Sequence, residues 1–244
     1  MINFFKNKKR QTKLTVGTKN EKTRVDWVED TLKNIPAGSR ILDAGAGEQQ
    51  YKKFCAHLDY VSQDFAEYKP ENLPEGLQMG SWNYGVLDII SDIAKIPEKD
   101  KSFDVIMCTE VFEHIVNPRE ALDEFERLLK PNGMLIITAP FCSLTHFAPY
   151  HFYTGFSRYF YEEELNKRNF EILEITPNGN YFEYIAQELN RLNSISNKYC
   201  GKELSNNVKS AIYEINAQLQ ELSNTDNGSS DLLCFGLHVV AKKK

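Results

Sequence analysis

The chain has 244 residues, 41% of them hydrophobic and 26% charged, a composition that fits a folded globular protein and excludes a disordered or fibrous one. Its net charge of −5 argues against nucleic acid or an anionic membrane as main partner, since either needs a basic footprint. The opening MINFF is short and followed by charge, no run approaches the roughly 18–20 apolar residues of a membrane span, and five scattered cysteines form no CxxC pair, so a reduced, cytoplasmic setting is expected.

The basic run KNKKRQTK at 6–13 and the terminal AKKK read as solvated tails, giving a tail over 1–23 and one domain over 24–244. Val25, Val28, Leu32 and Ile35 recur at helical spacing up to the turn Pro36-Ala37-Gly38. A strand at 40–43 runs into AGAGEQQ, after which Tyr51, Phe54, Cys55 and Leu58 predict a second helix. YVSQD (60–64) and DIISD (88–92) read as short strands flanking a long aromatic loop at 65–86. FDVIMCT (103–109) has the continuous apolar character of a strand covered on both faces.

Asn117-Pro118 opens a helix whose stripe is Leu122, Phe125, Leu128 and Leu129, ending at Pro131-Asn132-Gly133. The strand GMLIITAP (133–140), an aromatic loop at 143–160, a helix near 162–169 and the strand FEILEIT (170–176) follow. Helical periodicity at 183–192 and 208–222 marks an insertion over about 181–230, and LLCFGLHVVA (232–241) returns to the sheet. Strands alternating with helices imply an α/β fold with a mostly parallel sheet and helices on both faces.

Two stretches carry chemistry. AGAGE at 44–48 sits at the first strand-to-helix turn, where an open α/β sheet binds ligands, but it lacks the third glycine of the dinucleotide fingerprint. CTEVFEHI at 108–115 follows a buried strand, and on a helix Glu110, Glu113 and His114 would share one face. Acidic residues also suit a helix start through the macrodipole, so spacing alone leaves a solvated helix start and a ligand set level.

Taken in order, ILDAGAGE, YVSQD, SDIAKIP, FDVIMCTEVFEHI and LLKPNGMLIITAPF resemble the five motifs of the class I S-adenosylmethionine-dependent methyltransferases, over about residues 24–176. The resemblance implies a Rossmann-like, seven-stranded, mostly parallel sheet with the last strand antiparallel. It also implies S-adenosylmethionine as cofactor. Asp43, Ala44, Gly45 and Gly47 would frame the methionine part, and Asp64, followed by Phe65, would accept from the ribose hydroxyls. Asp92 would take the adenine amino group, Ile93 would pack on the ring, and Thr109 and Glu110 would line the methyl-donor end.

CTEVFEHI further resembles the ExxEH motif of the ubiquinone-pathway O-methyltransferases and the small-RNA 3′-terminal ribose methyltransferases. This implies a divalent metal on Glu110, Glu113, His114 and a later histidine, with His151 favoured and His146 in reserve. Mg²⁺ or Mn²⁺ is the expected ion, with Fe²⁺ and Zn²⁺ compatible. His114, Glu113 and His146 are the catalytic candidates, His146 as the base outside the metal shell; without a metal, His114 or His151 would act as base with Glu113 orienting it.

The expected reaction is metal-assisted O-methylation of a small polar acceptor: a sugar, nucleotide-linked or phosphorylated intermediate of surface polysaccharide synthesis. RNA ribose or quinone-type phenol methylation, and a non-catalytic cofactor-binding partner protein, are the alternatives, and N-methylation stays open. The helical insertion would cover the opening or pair two copies as a homodimer.

Overall fold

The computed structural model describes residues 13–70, 76–77 and 80–244, so the segment 1–12 and parts of the 65–86 loop lie outside the described residues. Seven strands form one sheet: β1 (Arg40–Ala44), β2 (Asp59–Asp64), β3 (Ile89–Ile90), β4 (Phe103–Thr109), β5 (Leu129–Pro140), β6 (Phe170–Asn178) and β7 (Gly236–Lys243). Their order is β3-β2-β1-β4-β5-β7-β6. β1 to β5 pair in parallel, and β7 lies antiparallel between β5 and β6. The chain steps outward from β1 to β3 and then crosses back to place β4 beside β1. The strand order therefore reverses at β1 and β4, which opens a crevice at their carboxyl ends.

Each face of the sheet is covered. α1 (Asn20–Lys33) presents Val28 and Leu32 to Ile41, Val105, Met107 and Ile136 on one face. On the other, α2 (Pro118–Leu128) and α3 (Arg158–Lys167) bury Leu122, Phe125, Tyr161 and Leu165 against Leu42, Ile106, Leu135 and Val239. β4 is apolar from Val105 to Cys108 because both layers cover it. α2 starts with Pro118 at its first turn, where the missing N–H costs nothing.

α4 (Tyr181–Cys200) and α5 (Asn206–Asn224) form a helical pair between β6 and β7. Asn180 and Ser205 cap them by accepting from the backbone N–H of Glu183 and Val208, and Gly201 ends α4 in the left-handed conformation. Among the described residues no helix is long and apolar enough to cross a membrane.

Two local expectations fail for backbone reasons. The helix expected over Tyr51 to Leu58 is a single 3-10 turn at Lys52–Phe54, because Gly47 and Gln49 take positive φ (51° and 57°) and too little chain remains before β2. Tyr51 and Cys55 are buried all the same, which accounts for the helix-like apolar spacing. The helix expected to gather Glu110, Glu113 and His114 is likewise one 3-10 turn, Phe112–His114. Glu110 lies before it at φ +54° with its N–H bonded to the Thr138 carbonyl, so the three side chains do not share a helical face.

Residues 15–17, within the stretch that reads as a tail, run as a strap across α4 and α5. Gln220 Oε1 accepts from the Thr15 and Val16 N–H groups, Glu183 Oε2 from that of Gly17, and Asn190 Nδ2 donates to the Val16 carbonyl. The strap sits so close that a Cβ on Gly17, itself at φ +71°, would lie 2.3 Å from the Gln187 nitrogen. Gly17→Ala is expected to lower unfolding stability by about 1–3 kcal/mol through overpacking and positive-φ strain. Urea unfolding checks this, and an unchanged midpoint would contradict the tight docking of the strap.

Candidate active site

The crevice at the carboxyl ends of β1, β2 and β4 collects most of the cofactor residues named from sequence. Asp43, 1% exposed, accepts from the Tyr60 hydroxyl at 2.6 Å. Burial pushes its carboxyl up to about 7, against the pull of the Tyr60 hydrogen bond and with a further push from Asp64. Gly45 and Gly47 both take positive φ, and a Cβ added to them would lie 2.5 Å from Val111 and 2.9 Å from Trp82. Ala44 is buried in β1, and the Gly45 and Ala46 N–H groups both bond the Gln63 carbonyl, which locks the turn to β2.

Asp64, at the end of β2, accepts from the N–H groups of Gly47 (2.9 Å) and Ala66 (3.0 Å). A carboxylate has about four acceptor positions, so room is left for two hydroxyl donors. Phe65 beside it is half-exposed with its ring edge on Tyr150. Asp92 is exposed just past β3 and accepts from the Ala94 N–H, while Ile93 is buried beneath it. Asp92 thus makes the ordinary turn bond of an aspartate and still offers its outer oxygen to solvent.

Glu110 stands between the two halves of the site. Its Oε2 accepts from Arg24 Nη1 at 3.1 Å and its Oε1 from the Thr138 hydroxyl at 2.9 Å. Arg24 Nε and the Tyr51 hydroxyl lie buried nearby, close enough to interact with each other but with no other partner. Sequence reading missed both residues. The signal was available for Arg24, which heads the face that continues through Val28 and Leu32, a cation on an apolar stripe. Unpaired buried donors at the switch point suit a ligand carboxylate.

Glu113 is fully buried, and neither carboxylate oxygen has a hydrogen-bond partner. Phe112 anchors the turn beneath it, packed against Phe125 and Phe156 with ring centroids 6.4 and 6.0 Å away. The Glu113 carbonyl accepts from the N–H groups of Phe152 (2.8 Å) and Tyr153 (3.2 Å), which draws the loop after β5 over the turn. His114, His146 and His151 meet there, with one ring nitrogen from each within 4.8 Å of the others. Nε2 of His114 and of His146 each lie 3.7 Å from Glu113 Oε1, and both nitrogens of His151 are unpartnered.

These groups perturb one another. Burial, then the neighbouring His146, pushes the His114 imidazole down to about 3, so it is neutral at pH 7. Burial would lower His146 too, but the Glu113 carboxylate and the Leu144 carbonyl hold it above its ordinary value. Burial raises Glu113. The structure thus joins Glu113, His114, His146 and His151 and leaves Glu110 outside the group. A buried carboxylate beside the neutral His114 imidazole and the His146 and His151 rings is a donor set that fits a cation.

Residues 42–137 match the methyltransferase-domain family profile. Over this stretch the chain is similar to S-adenosylmethionine-dependent methyltransferase domains. The chain is similar to a demethylmenaquinone methyltransferase of Clavibacter sepedonicus, 33% identical over 41% of each chain. It is also similar to the mitochondrial ubiquinone biosynthesis O-methyltransferase of Schizosaccharomyces pombe, 28% identical over 48% of this chain and 44% of that one. A sarcosine/dimethylglycine N-methyltransferase of Aphanothece halophytica matches at 28% over 48% and 43%. The chain therefore spans less than half the length of the curated relatives it matches.

Solved structures share the fold at low identity. The YcgJ protein of Bacillus subtilis superposes with a TM-score of 0.53 at 14% identity, covering 91% of this methyltransferase-domain chain and 99% of that one. The [4+2]-cyclase SpnF gives 0.54 at 16%, covering 89% and 80%. The same fold thus carries a cyclase as well, and the reaction has to be argued from the site.

Asp43 supplies a pH test. Its folded value near 7 lies above the roughly 3.9 of an unfolded aspartate, so the ligand-free protein loses stability as pH rises from about 4 through 7. Asp43→Asn, which still accepts from Tyr60, is expected to raise unfolding stability at pH 8 by on the order of 2–4 kcal/mol and to change it little at pH 4. Urea titrations at the two pH values check this; an equal effect at both would contradict a proton-holding Asp43.

Proposed function

We propose that the protein methylates a hydroxyl of a small polar acceptor from S-adenosylmethionine, with a divalent metal at the histidine cluster. The observation that carries this reading is the partnerless, fully buried Glu113 carboxylate facing imidazoles at the end of β4, beside the crevice that holds Asp43, Asp64 and Asp92.

Asp64 accepts from the ribose hydroxyls and Asp92 from the adenine amino group, with Ile93 under the ring. Arg24 Nε and the Tyr51 hydroxyl offer their free donors to the cofactor's carboxylate. The turn at Ala44, Gly45 and Gly47 keeps the backbone close to the methionine part, and Thr109 lines the methyl end, where Glu110 holds Arg24 in place. Glu113, His114 and His151 hold the ion.

When bound, the ion lowers the pKa of a coordinated hydroxyl, as it can lower that of water from about 15.7 to about 7. The protein's own part is position. It fixes the acceptor oxygen in line with the donor at about 3–3.5 Å, and it keeps water from the charged centre with Phe65, Tyr150 and Phe152 at the rim. Those aromatic faces also suit a sugar ring, which favours a carbohydrate or nucleotide-linked acceptor of polysaccharide synthesis in the cytoplasm over an RNA ribose.

Calorimetry with S-adenosylhomocysteine, paired with methyl transfer to a panel of nucleotide sugars, tests the division of labour. Asp64→Ala is expected to weaken cofactor-product binding about 10–100-fold, the loss of charge-assisted hydrogen bonds worth about 1.5–3 kcal/mol. His114→Ala and Glu113→Ala are expected to keep that affinity within about threefold while transfer disappears. Equal losses of affinity in all three would contradict the assignment, and no binding by the unaltered protein would end the methyltransferase reading.

A further inference from the structure

The geometry points to a metal shell that differs from the one an ExxEH spacing suggests. We infer that the ion sits among His114, His146, His151 and Glu113, with Glu110 outside the shell, and that three imidazoles make the site select Zn²⁺, Co²⁺ or Fe²⁺ over Mg²⁺. This rests on the metal-assisted reading and deepens it.

Tautomers come first. His114 Nδ1 lies 2.5 Å from the Tyr150 carbonyl and His146 Nδ1 lies 2.8 Å from that of Leu144. A carbonyl can only accept, so both Nδ1 atoms carry the proton and Nε2 is the ring nitrogen left for an ion in each. An outer carbonyl fixing the ring of a ligand histidine is the usual support for a metal-bound imidazole. Both Nε2 atoms face Glu113 Oε1 at 3.7 Å. Ligands in a tetrahedral shell with bonds of roughly 2.0–2.3 Å stand about 3.3–3.7 Å apart, a spacing the two Glu113 contacts match, while the three imidazoles, within 4.8 Å of one another, would draw together around an ion. His151 makes no competing bond with either nitrogen.

Glu110 is committed elsewhere. Each of its oxygens already has a donor, Arg24 and the Thr138 hydroxyl, and its φ of +54° aims it toward them. Moving it to an ion would strip Arg24 of its carboxylate, and leaving a buried charge unpaired is costly. His146 therefore fills the place that Glu110 leaves, as a ligand and not as a free base.

The donor set then decides the ion. Three nitrogens and one carboxylate suit a borderline transition dication, whereas Mg²⁺ favours an oxygen shell with several waters. Four protein ligands leave a position for a single acceptor oxygen if the shell expands to five, as it does at some zinc sites.

Titration of the full-length protein with Zn²⁺ and with Mg²⁺, and the visible spectrum of its Co²⁺ form, test this. Expected are one Zn²⁺ per chain, much weaker Mg²⁺ binding, and intense Co²⁺ bands of a four- or five-coordinate site. Removing an outer support costs about 10–100-fold in metal affinity, so loss of a true ligand in His146→Ala or His151→Ala should exceed about 100-fold and shift the Co²⁺ bands. Glu110→Gln should stay under about 10-fold and keep them. An unchanged far-ultraviolet circular dichroism spectrum in every variant shows that each is folded. Metal binding lost in Glu110→Gln but kept in His146→Ala would overturn the ligand set, and Mg²⁺ binding equal to Zn²⁺ would overturn the ion class. No metal binding with cofactor-product binding intact would remove the metal centre and leave the methyltransferase reading standing.

Discussion

A carboxylate buried without a single hydrogen-bond donor is the constraint around which the active site is organised. Moving an ionised carboxylate out of water costs several kcal/mol unless a cation or donors meet it. Glu113 has no hydrogen-bond donor within reach, only the His114 and His146 rings 3.7 Å away, and its surroundings leave it no retreat: Phe112 pins the turn below it, and the clasp of Phe152 and Tyr153 on its carbonyl brings the following loop down over it. That clasp is also what carries His146 and His151 to His114. One backbone contact thus sets the loop, the loop sets the imidazoles, and the imidazoles surround the charge.

The sheet supplies the other half. Because strand order reverses at β1 and β4, the glycine turn and the Glu113 turn emerge side by side at one edge of the domain. Asp43 and Asp64 belong to the first, the histidines to the second, and the Arg24–Glu110 pair stands between them with α1 behind it. Glu110 is the link that holds Arg24 at the edge of the crevice. The fold by itself would not choose this chemistry, since a cyclase shares it.

Much of this was legible in the sequence. The largely apolar run FDVIMCT reads as a strand covered on both faces, and the glycine turn, Asp64 and Asp92 are picked out by their places at strand ends. The helical pair is visible from its period, and its caps at Asn180 and Ser205 emerge only in the fold. What escaped was set by backbone torsion or distant contact. The positive φ of Glu110 breaks the helical face that ExxEH spacing suggests, and those of Gly47 and Gln49 replace a helix by a single turn. That both His146 and His151 reach His114 depends on the Glu113 clasp, which no local pattern announces. Arg24 looked like one more helix residue until its partner 86 positions away was known.

The most direct test of the central claim is an anomalous-difference map at the zinc edge from crystals grown with S-adenosylhomocysteine. The account predicts one strong peak enclosed by His114, His146, His151 and Glu113, with the cofactor product lying across the β1 and β4 strand ends beside it and Glu110 still on Arg24. Cofactor density in the crevice with no peak among the histidines, or a peak bound by Glu110, would contradict it.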